Sequence, residues 1–300
     1  MRKRLIIHLF GWKIQDIKAD LPKIKACGYT HILLTPVQPL KENGNYDFWI
    51  YYQPTAFTIG NHRGSRKDFI DLCNEAKKYG IKIIVDVVLR HLANDPYHEL
   101  TPHNICDSRI ANRRSAWLPP INASNEHNRW QQCWRCFHLP ALNYNDEVLM
   151  NDFILPFLDD VLTYADGLRI DMGKHFALPH EGSMFWITVT RRYPDKFIMA
   201  ECLDIDNHLF NNYAEYVHVL TNFKPSENKD KAVVFAESHD TYYTFRSTEN
   251  WSNQKRINEY KELLNQGYDN ILFFARQYDV LTFSQEMADI NNKYINKADQ

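Results

Sequence analysis

The sequence has few cysteines, no long apolar run and almost no net charge, and each absence removes a class of protein. Six cysteines in 300 residues are too few for a disulfide-stapled scaffold. The 35 basic and 37 acidic residues leave a net charge of −2, so no basic field points to a nucleic-acid partner. No apolar run approaches the roughly 18 residues of a membrane span, so no membrane is expected either.

The N-terminal residues imitate the start of a secretory signal, but the imitation is incomplete. Three basic residues within Met1–Arg4 precede the apolar run Leu5–Phe10. That run is too short, contains His8 and reaches Lys13 without a small-residue cleavage site. The sequence therefore predicts a first β-strand and a cytoplasmic protein.

One cysteine pair has the spacing of half a zinc site. Cys133 and Cys136 are separated by two residues, and His138 follows them. A structural zinc site needs a second ligand pair at useful spacing, which the sequence lacks. We therefore expect free thiols and no metal ligands.

The composition is that of an ordinary globular chain. Apolar residues make up 44% and charged residues 24%, which permits a normal core and excludes disorder over most of the length. The 300 residues fit either two domains or one α/β barrel of about 250 residues that carries an insertion.

Apolar runs alternate with amphipathic stretches over the first 90 residues. Ile14, Ile17, Leu21 and Ile24 recur at helical spacing, and a second helix is predicted to begin at Ser65. Each helix ends at a glycine and leads into another apolar run. The three runs are Leu5–Phe10, Thr30–Thr35 and Ile81–Leu89. This alternation is typical of parallel strands covered by helices.

The alternation stops between residues 92 and 140, which are rich in Asn, His, Pro and Trp. A structureless loop of that length is uncommon inside a compact domain. We therefore predict a small inserted B domain here, followed by a helix near Asp146–Tyr164 that kinks at Pro156.

Five further strands are expected after this insertion. They are Gly167–Asp171, Lys196–Glu201, Tyr216–Leu220, Ala232–Glu237 and Asp279–Phe283. With the first three they make eight, the number that closes a (β/α)8 TIM barrel. The predicted barrel comprises residues 1–91 and 141–300, and residues 92–140 form the insertion after the third strand.

Two units of the predicted barrel look deficient. Only about a dozen residues, including Pro225, separate the sixth and seventh predicted strands. After the eighth, residues 288–300 are polar. We expect the sixth and eighth helices to be short or missing, with no C-terminal β-sandwich domain. Apolar surface exposed in this way would favour a homo-oligomer.

Charged and polar side chains collect at the predicted C-terminal ends of the strands, where barrel enzymes carry their active sites. They are Asp86, His91, Arg169, Asp171, Glu201, His239 and Asp240. Cleavage of an acetal needs one carboxylate at the anomeric centre and a protonated carboxyl group at the leaving oxygen. A third carboxylate can hold hydroxyls, and an arginine keeps the nucleophile ionised. The inventory favours glycoside hydrolysis.

Seven short segments also resemble the alpha-amylase family of glycoside hydrolases, in that family's order and spacing. Four resemble its conserved regions: Asp86–His91, Gly167–His175, Ala200–Glu201 and Glu237–Asp240. Three are similar to its first barrel strand, its aromatic platform and the end of its inserted domain: His8–Lys13, Trp49–Pro54 and Leu139–Asn143. The resemblance spans residues 5–287 and implies a TIM barrel with a B domain.

The resemblance implies a role for each of three carboxylates. Asp171 would be the nucleophile at the anomeric carbon, and Glu201 the acid/base that protonates the leaving oxygen and then activates water. Asp240 would hold hydroxyls of the distorted sugar. These roles imply retention of anomeric configuration.

Other residues would bind sugar or support the catalytic groups. Arg169 would orient the nucleophile, and Asp86 would be a hydrogen-bonding scaffold. The implied sugar-binding residues are Trp49, Tyr52, His91, Arg169, Lys174, His175 and His239, with Tyr52 stacked under the ring. Lys174 and His175 resemble a pair in true alpha-amylases, which favours internal α-1,4-glucan bonds. A solvated helix start is the alternative for that pair.

Two departures from the family pattern concern ions. The family usually has a calcium-binding Asn where this sequence has Arg90, and a guanidinium offers only donors to a cation that needs oxygen ligands. We expect Arg90 to replace the ion as a fixed positive charge. Chloride-dependent members have an Asn where Ser238 stands, so chloride activation is not expected. No cofactor is required for the chemistry.

The sequence therefore predicts a retaining hydrolase that acts on α-1,4-glucans or maltooligosaccharides. Three alternatives stay open. A transglycosylase or isomerase of the same family would share the covalent intermediate. A binuclear metal hydrolase would need more histidines on the first strand than His8. A non-catalytic glucan-binding protein would lose Asp171 or Glu201, and both are present.

Overall fold

Eight parallel strands close into one barrel in the computed structural model, which describes residues 3–41, 47–98, 100–119 and 139–298. The strands are β1 Arg4–Leu9, β2 His31–Leu34, β3 Lys82–Val87, β4 Gly167–Ile170, β5 Phe197–Glu201, β6 His218–Thr221, β7 Ala232–Phe235 and β8 Asn270–Phe274. They pair in chain order, and β1 also pairs with β8, Arg4 opposite Asn270. The predicted (β/α)8 barrel is confirmed.

Helices cover the outside of this barrel. They are α1 Ile14–Ala26, α2 Arg66–Lys78, α4 Leu155–Tyr164, α5 Phe185–Arg192, α6 Asn207–Ala214, α7 Asn253–Asn265 and α8 Gln285–Ala298, whereas the short helix α3 Ser108–Ala111 lies in the insertion. The start of α2 follows from its sequence: Ser65 and Asp68 form a capping box. Residues 222–231, between β6 and β7, contain no helix, as predicted.

Two apolar layers hold the barrel together. Side chains that point outward from the strands pack against the helices, with Ile17 and Leu21 of α1 among the fully covered residues. Side chains that point inward fill the barrel itself. That inner layer, here called the interior layer, consists of Ile6, Leu33, Ile84, Phe197, Met199, Leu220, Val233, Phe235 and Leu272. Because it is closed, chemistry is confined to the barrel ends.

The eighth unit corrects the sequence prediction. The strand expected at Asp279–Phe283 is wrong: β8 lies at Asn270–Phe274, and α8 after it has 14 residues. Asn270 decides the position, because its amide donates to the carbonyl oxygens of Asp230 (2.8 Å) and Ala232 (3.0 Å). Intrinsic β-propensity does not record such a contact. With α8 in place, the homo-oligomer expectation loses its premise.

The helix that follows the insertion also differs in detail from the prediction. The helix expected at Asp146–Tyr164 begins as a π-helix, Leu149–Ile154, and continues as α4. Pro156 is the second residue of α4 and directly follows this π-helix, so it has no N–H to donate to a carbonyl group of the preceding turn. The irregularity is thus a π-turn before the proline.

The insertion is described only in part. Leu118 N donates to Ala141 O (3.0 Å) and Leu142 N to Arg90 O (2.9 Å), so its two ends pair with each other beside β3. Cys133, Cys136 and His138 lie outside the described residues. No helix in the described part of the chain is long and apolar enough to cross a membrane.

Candidate active site

One buried arginine organises the C-terminal mouth of the barrel. Arg169 is 1% exposed, and its Nη1 donates to both oxygens of Asp86 and to Asp171 Oδ1, each at 2.8 Å. Its Nη2 donates to Glu201 Oε1. Three carboxylates from three adjacent strands therefore share one guanidinium, as the sequence predicted for this mouth.

Burial and mutual repulsion act on these carboxyl groups together. Burial raises the pKa of Asp171 well above its ordinary value, Glu201 and Asp86 raise it further, and Arg169 opposes the shift. Burial likewise raises the pKa of Asp86 to about 6, again against Arg169. Arg169 is therefore the group that favours the ionised forms of Asp171 and Asp86 against burial.

The backbone after β4 is shaped to bring the two catalytic candidates together. Met172 adopts a left-handed conformation, φ 52°, and its N–H donates to Glu201 Oε2 at 3.2 Å. Gly173 follows, and a Cβ there would lie 2.6 Å from Ala200 Cβ and 2.8 Å from Glu201 N. Only glycine fits this close approach, which holds β4 and β5 together beside Asp171.

An aromatic wall closes the other side of the mouth. The His239 ring stacks on Phe10, with centroids 4.6 Å apart, and its Nε2 lies 2.8 Å from Tyr52 Oη. Tyr52 Oη also donates to Asp86 Oδ2 at 3.1 Å. Burial lowers the pKa of His239 to about 3, so its imidazole is neutral near pH 7.

His91 lies on the same side of the mouth. It is 1% exposed, and its Nε2 donates to Tyr52 O at 2.9 Å, which fixes the tautomer. Burial lowers the pKa of His91 to about 4. His91 therefore adds no charge to the mouth near pH 7, and its contact with sugar hydroxyls stays a prediction.

Asp240 faces the mouth from the loop after β7. Its Oδ2 lies 3.6 Å from His239 Nε2, and Thr244 Oγ1 donates to its Oδ1 at 3.1 Å. Burial raises its pKa. The three predicted catalytic carboxylates therefore come from β4, β5 and this loop and surround Arg169.

Three predicted sugar-binding residues lie farther out or are turned away. Lys174 Nζ donates to Leu203 O at 2.6 Å, and His175 is 4% exposed. Trp49 is 36% exposed and lies on the 3-10 helix Phe48–Tyr52. Their contact with substrate stays a prediction.

Buried charged side chains, and not the volume of a cavity, distinguish this site from other parts of the surface. The space enclosed among Arg169, Glu201 and Asp240 is about 10 Å³. A groove of about 500 Å³ lies between Trp12 and Phe283, and it lacks the cluster of buried carboxylates. The small enclosed space places any sugar above these groups, on the open side of the mouth.

The residues at the family's calcium position do not fit a calcium ion. Arg90 is 3% exposed, its Nη1 donates to Leu142 O at 2.9 Å, and its guanidinium lies 5.8 Å from the Phe176 ring. A cation fills the place where oxygen ligands would be required. Within the described ranges, no cluster of three or more His, Cys, Asp or Glu side chains could hold a metal ion.

Two other predictions concern chloride, through Ser238, and the cysteine thiols. Ser238 Oγ accepts from Thr241 N at 3.2 Å, within its own loop. In the described part of the chain the thiols of Cys27, Cys73, Cys106 and Cys202 are buried. No disulfide joins these four thiols.

Sequence reasoning missed an ion network behind the aromatic wall. Glu237, Arg256, Arg276 and Asp279 form it, and together they are here called the β7–β8 ion network. It also missed Phe10 as a catalytic wall residue. The signal for Glu237 was its place in the segment before His239, but its partners lie 19 and 39 residues away in sequence.

One protein-family model matches almost the whole chain. The profile described as "Alpha amylase, catalytic domain" matches residues 13–294. An alpha-amylase of Clostridium acetobutylicum is 34% identical over 174 residues, which are 57% of this chain and 23% of that protein. An alpha-amylase-related protein of Drosophila dossoui is 23% identical over 299 residues, 85% of this chain and 60% of that protein. The chain thus spans at most three fifths of these two relatives.

Solved structures share the fold at low sequence identity. An alpha-amylase from Geobacillus thermoleovorans, solved with acarbose, superposes with TM-score 0.75 at 16% identity and covers 98% of this chain and 78% of that one. The cyclomaltodextrin glucanotransferase CldA gives TM-score 0.74 at 15% identity over 100% of this chain and 80% of that one. At such identities the likeness establishes the barrel alone.

Proposed function

Because the chain belongs to the alpha-amylase family, with the catalytic-domain profile matched over residues 13–294, we propose that it is a retaining glycosidase that cleaves α-1,4-glucosidic bonds of starch-type glucans or maltooligosaccharides. One observation carries the proposal: the Arg169 guanidinium binds both Asp171 and Glu201 in the mouth of the barrel. Relatives that are named alpha-amylases support the substrate class.

In the first step Asp171 attacks the anomeric carbon while the carboxyl group of Glu201 donates its proton to the leaving glycosidic oxygen. The C–O bond breaks, and a covalent glycosyl-enzyme forms on Asp171. In the second step Glu201 takes a proton from water, the water oxygen attacks the anomeric carbon, and the ester bond to Asp171 breaks. Two inversions give net retention.

The spacing of the two carboxylates supports retention. Inverting enzymes keep their carboxyl groups about 6.5–9.5 Å apart so that water can enter between them. Here Asp171 and Glu201 bind neighbouring nitrogens of one guanidinium, which brings them close together. Arg169 also favours the ionised form of Asp171 that the attack requires, and so opposes the effect of burial on this nucleophile.

The remaining groups hold the sugar ring. Asp240 accepts hydrogen bonds from hydroxyls, and the neutral imidazoles of His91 and His239 exchange further ones. Tyr52 presents its ring to the apolar face of the sugar. Asp240 and the histidines lie among buried groups, where a hydrogen bond to a distorted sugar is stronger than in water.

The test is proton NMR of a maltooligosaccharide digest, read at the anomeric signals. We expect the α-anomer of the new reducing end first, and a loss of about 10²–10⁴-fold in kcat for Glu201→Gln. Asp159→Asn is the control, because Asp159 pairs with Arg192 on the outer surface.

Each other result has a distinct meaning. Early β-anomer would refute retention. Products longer than the substrate would indicate transglycosylation instead of hydrolysis. No turnover of any α-glucoside, with retained binding of maltooligosaccharide, would leave a glucan-binding protein.

We also propose that Arg90 does the structural work of the family's calcium ion, so that the chain needs no cofactor. Its guanidinium ties the exit of β3 to Leu142 at the return from the insertion. We expect a chelator to leave Tm unchanged, and Arg90→Met to cost about 1–3 kcal/mol because the Leu142 carbonyl loses its partner. A calcium-dependent rise in Tm of the unaltered protein would overturn this.

A further inference from the structure

Asp240 is held mainly from within its own loop. The loop after β7, residues 236–252, carries His239 and Asp240 before α7 begins. Both Asp240 partners described above, Thr244 and His239, belong to this loop. The distance from Asp240 to the sugar and to Asp171 therefore depends on how the loop as a whole is anchored.

The β7–β8 ion network anchors this loop at its root. Glu237 Oε2 accepts from Arg256 Nε at 2.8 Å, and Glu237 Oε1 accepts from Arg276 Nη2 at 2.6 Å and Nε at 3.1 Å. Arg256 also pairs with Asp279. Two cations and two anions balance, with side-chain exposures of 2–15%, so each charge has a partner.

Arg276 differs from Arg256 in reaching the far side of the loop. Its Nη2 donates to Thr248 O at 2.7 Å and its Nη1 to Trp251 O at 3.4 Å. Its guanidinium also lies 4.5 Å from the Tyr242 ring. The contacts at Glu237, Tyr242, Thr248 and Trp251 flank Asp240 on both sides.

We infer that Arg276 is a positioning residue that sets Asp240 at the substrate distance by clamping the loop at both ends. The inference rests on the proposed function, in which Asp240 holds sugar hydroxyls. The planar fork matters because its separate nitrogens reach Glu237, Thr248 and Trp251, whereas a lysine presents all its donors from a single nitrogen atom.

The test compares the same substitution at opposite ends of the barrel. Arg276→Lys keeps the charge and loses the fork. Arg4→Lys is the matched control: Arg4 Nη1 donates to Asn270 Oδ1 at 2.8 Å and its guanidinium lies 4.6 Å from the Phe197 ring, at the opposite end of the barrel.

We expect Arg276→Lys to lower kcat on maltooligosaccharides by about 10–100-fold, the usual result of a misplacement near 1 Å. KM should change by less than about threefold, measured well below the Tm of both variants. Arg4→Lys should lower Tm without changing kcat. Wild-type kcat in Arg276→Lys, or equal losses in the two variants, would overturn the inference.

A second readout separates this inference from the proposed function. Amide hydrogen exchange of residues 238–248 should accelerate in Arg276→Lys and stay unchanged in Arg4→Lys, with or without turnover of any sugar. If the wild-type protein hydrolyses nothing, the proposed function fails and exchange alone decides whether Arg276 anchors the loop. Unchanged exchange in Arg276→Lys would refute the clamp.

Discussion

The two ends of the barrel use charge in opposite ways. At the C-terminal mouth, Asp86, Asp171 and Glu201 converge on Arg169, which is 1% exposed. At the N-terminal base, ion pairs such as Lys82 with Asp166 lie at the surface, with 55% of the lysine side chain exposed. Solvated pairs of this kind contribute little to stability, whereas buried charges must be fully paired.

The difference shows where stability and function reside in this chain. The interior layer between the ends consists of apolar side chains and stabilises the barrel through the hydrophobic effect. The mouth instead keeps three carboxylates around one cation. Removal of that cation should therefore affect this end far more than a matched change at the base.

The largest expected effect comes from the two arginines. Arg169→Met should cost about 3–5 kcal/mol, because it leaves buried carboxylates without their partner. Arg4→Met should cost about 1 kcal/mol, because Arg4 is half-buried and gives up one hydrogen bond to Asn270. Urea unfolding of both variants measures the contrast. Equal losses would show that the mouth is not held by its ions.

A smaller effect is expected from two glycines that press β4 against β5, one at each end. A Cβ on Gly167 would lie 2.2 Å from Phe197 O at the base, and one on Gly173 would lie 2.8 Å from Glu201 N at the mouth. Either Ala variant should lose about 1–3 kcal/mol through overpacking. Gly173→Ala alone should also reduce kcat, because it displaces Glu201.

The outcome of the glycine experiment separates packing from chemistry. Unfolding midpoints give the loss of stability. Initial rates, at a temperature where both variants are folded, give the loss of kcat. If Gly167→Ala lowers kcat as much as Gly173→Ala does, the mouth is not mechanically independent of the base.

The smallest effect concerns pH. Burial lowers the pKa of His91 and His218 to about 4 and that of His239 to about 3, against an ordinary value of about 6.5 in the unfolded chain. Between about pH 6.5 and 4 the unfolded state binds more protons, so these histidines destabilise the fold as pH falls.

His218 is the histidine of this set that lies at the base, with its ring 4.3 Å from Phe197. His218→Phe should remove about 1–2 kcal/mol of the stability lost between pH 7 and pH 5, and it should leave kcat unchanged. Thermal unfolding at pH 8, where histidines are neutral in both states, provides the reference. An unaltered pH dependence would place the acid-sensitive groups at the mouth alone.

Most of the barrel could be predicted from the sequence because its strands are short apolar runs, and glycines lie next to the first four of them. The predicted segments from Leu5–Phe10 to Ala232–Glu237 each overlap an observed strand. The eighth was misplaced because Asn270–Phe274 and Asp279–Phe283 have similar β-forming composition. The choice between them depends on where Asn270 finds its carbonyl partners, which is a tertiary fact.

The candidate active site also has a part that the sequence could predict and a part that it could not. Carboxylates at strand ends could be predicted, since parallel strands deliver their C-terminal ends to one mouth. The contact of Arg276 with Glu237 spans 39 residues, and neither periodicity nor a local motif encodes it. Lys174 shows the converse, because its place in a motif did not disclose that its amino group binds Leu203 O.

The connection of residues 222–231 has a consequence for the order in which the strands can follow one another in the sequence. It crosses from β6 to β7 with no helix and exposes residues 226–228. Beside the junction of β8 and β1, the Lys3 amino group lies 5.7 Å from the Tyr294 ring. A circular permutant opened at residue 227 and closed by a short linker between the present ends would therefore keep every strand neighbour. The ring, unlike the polypeptide, has no first strand.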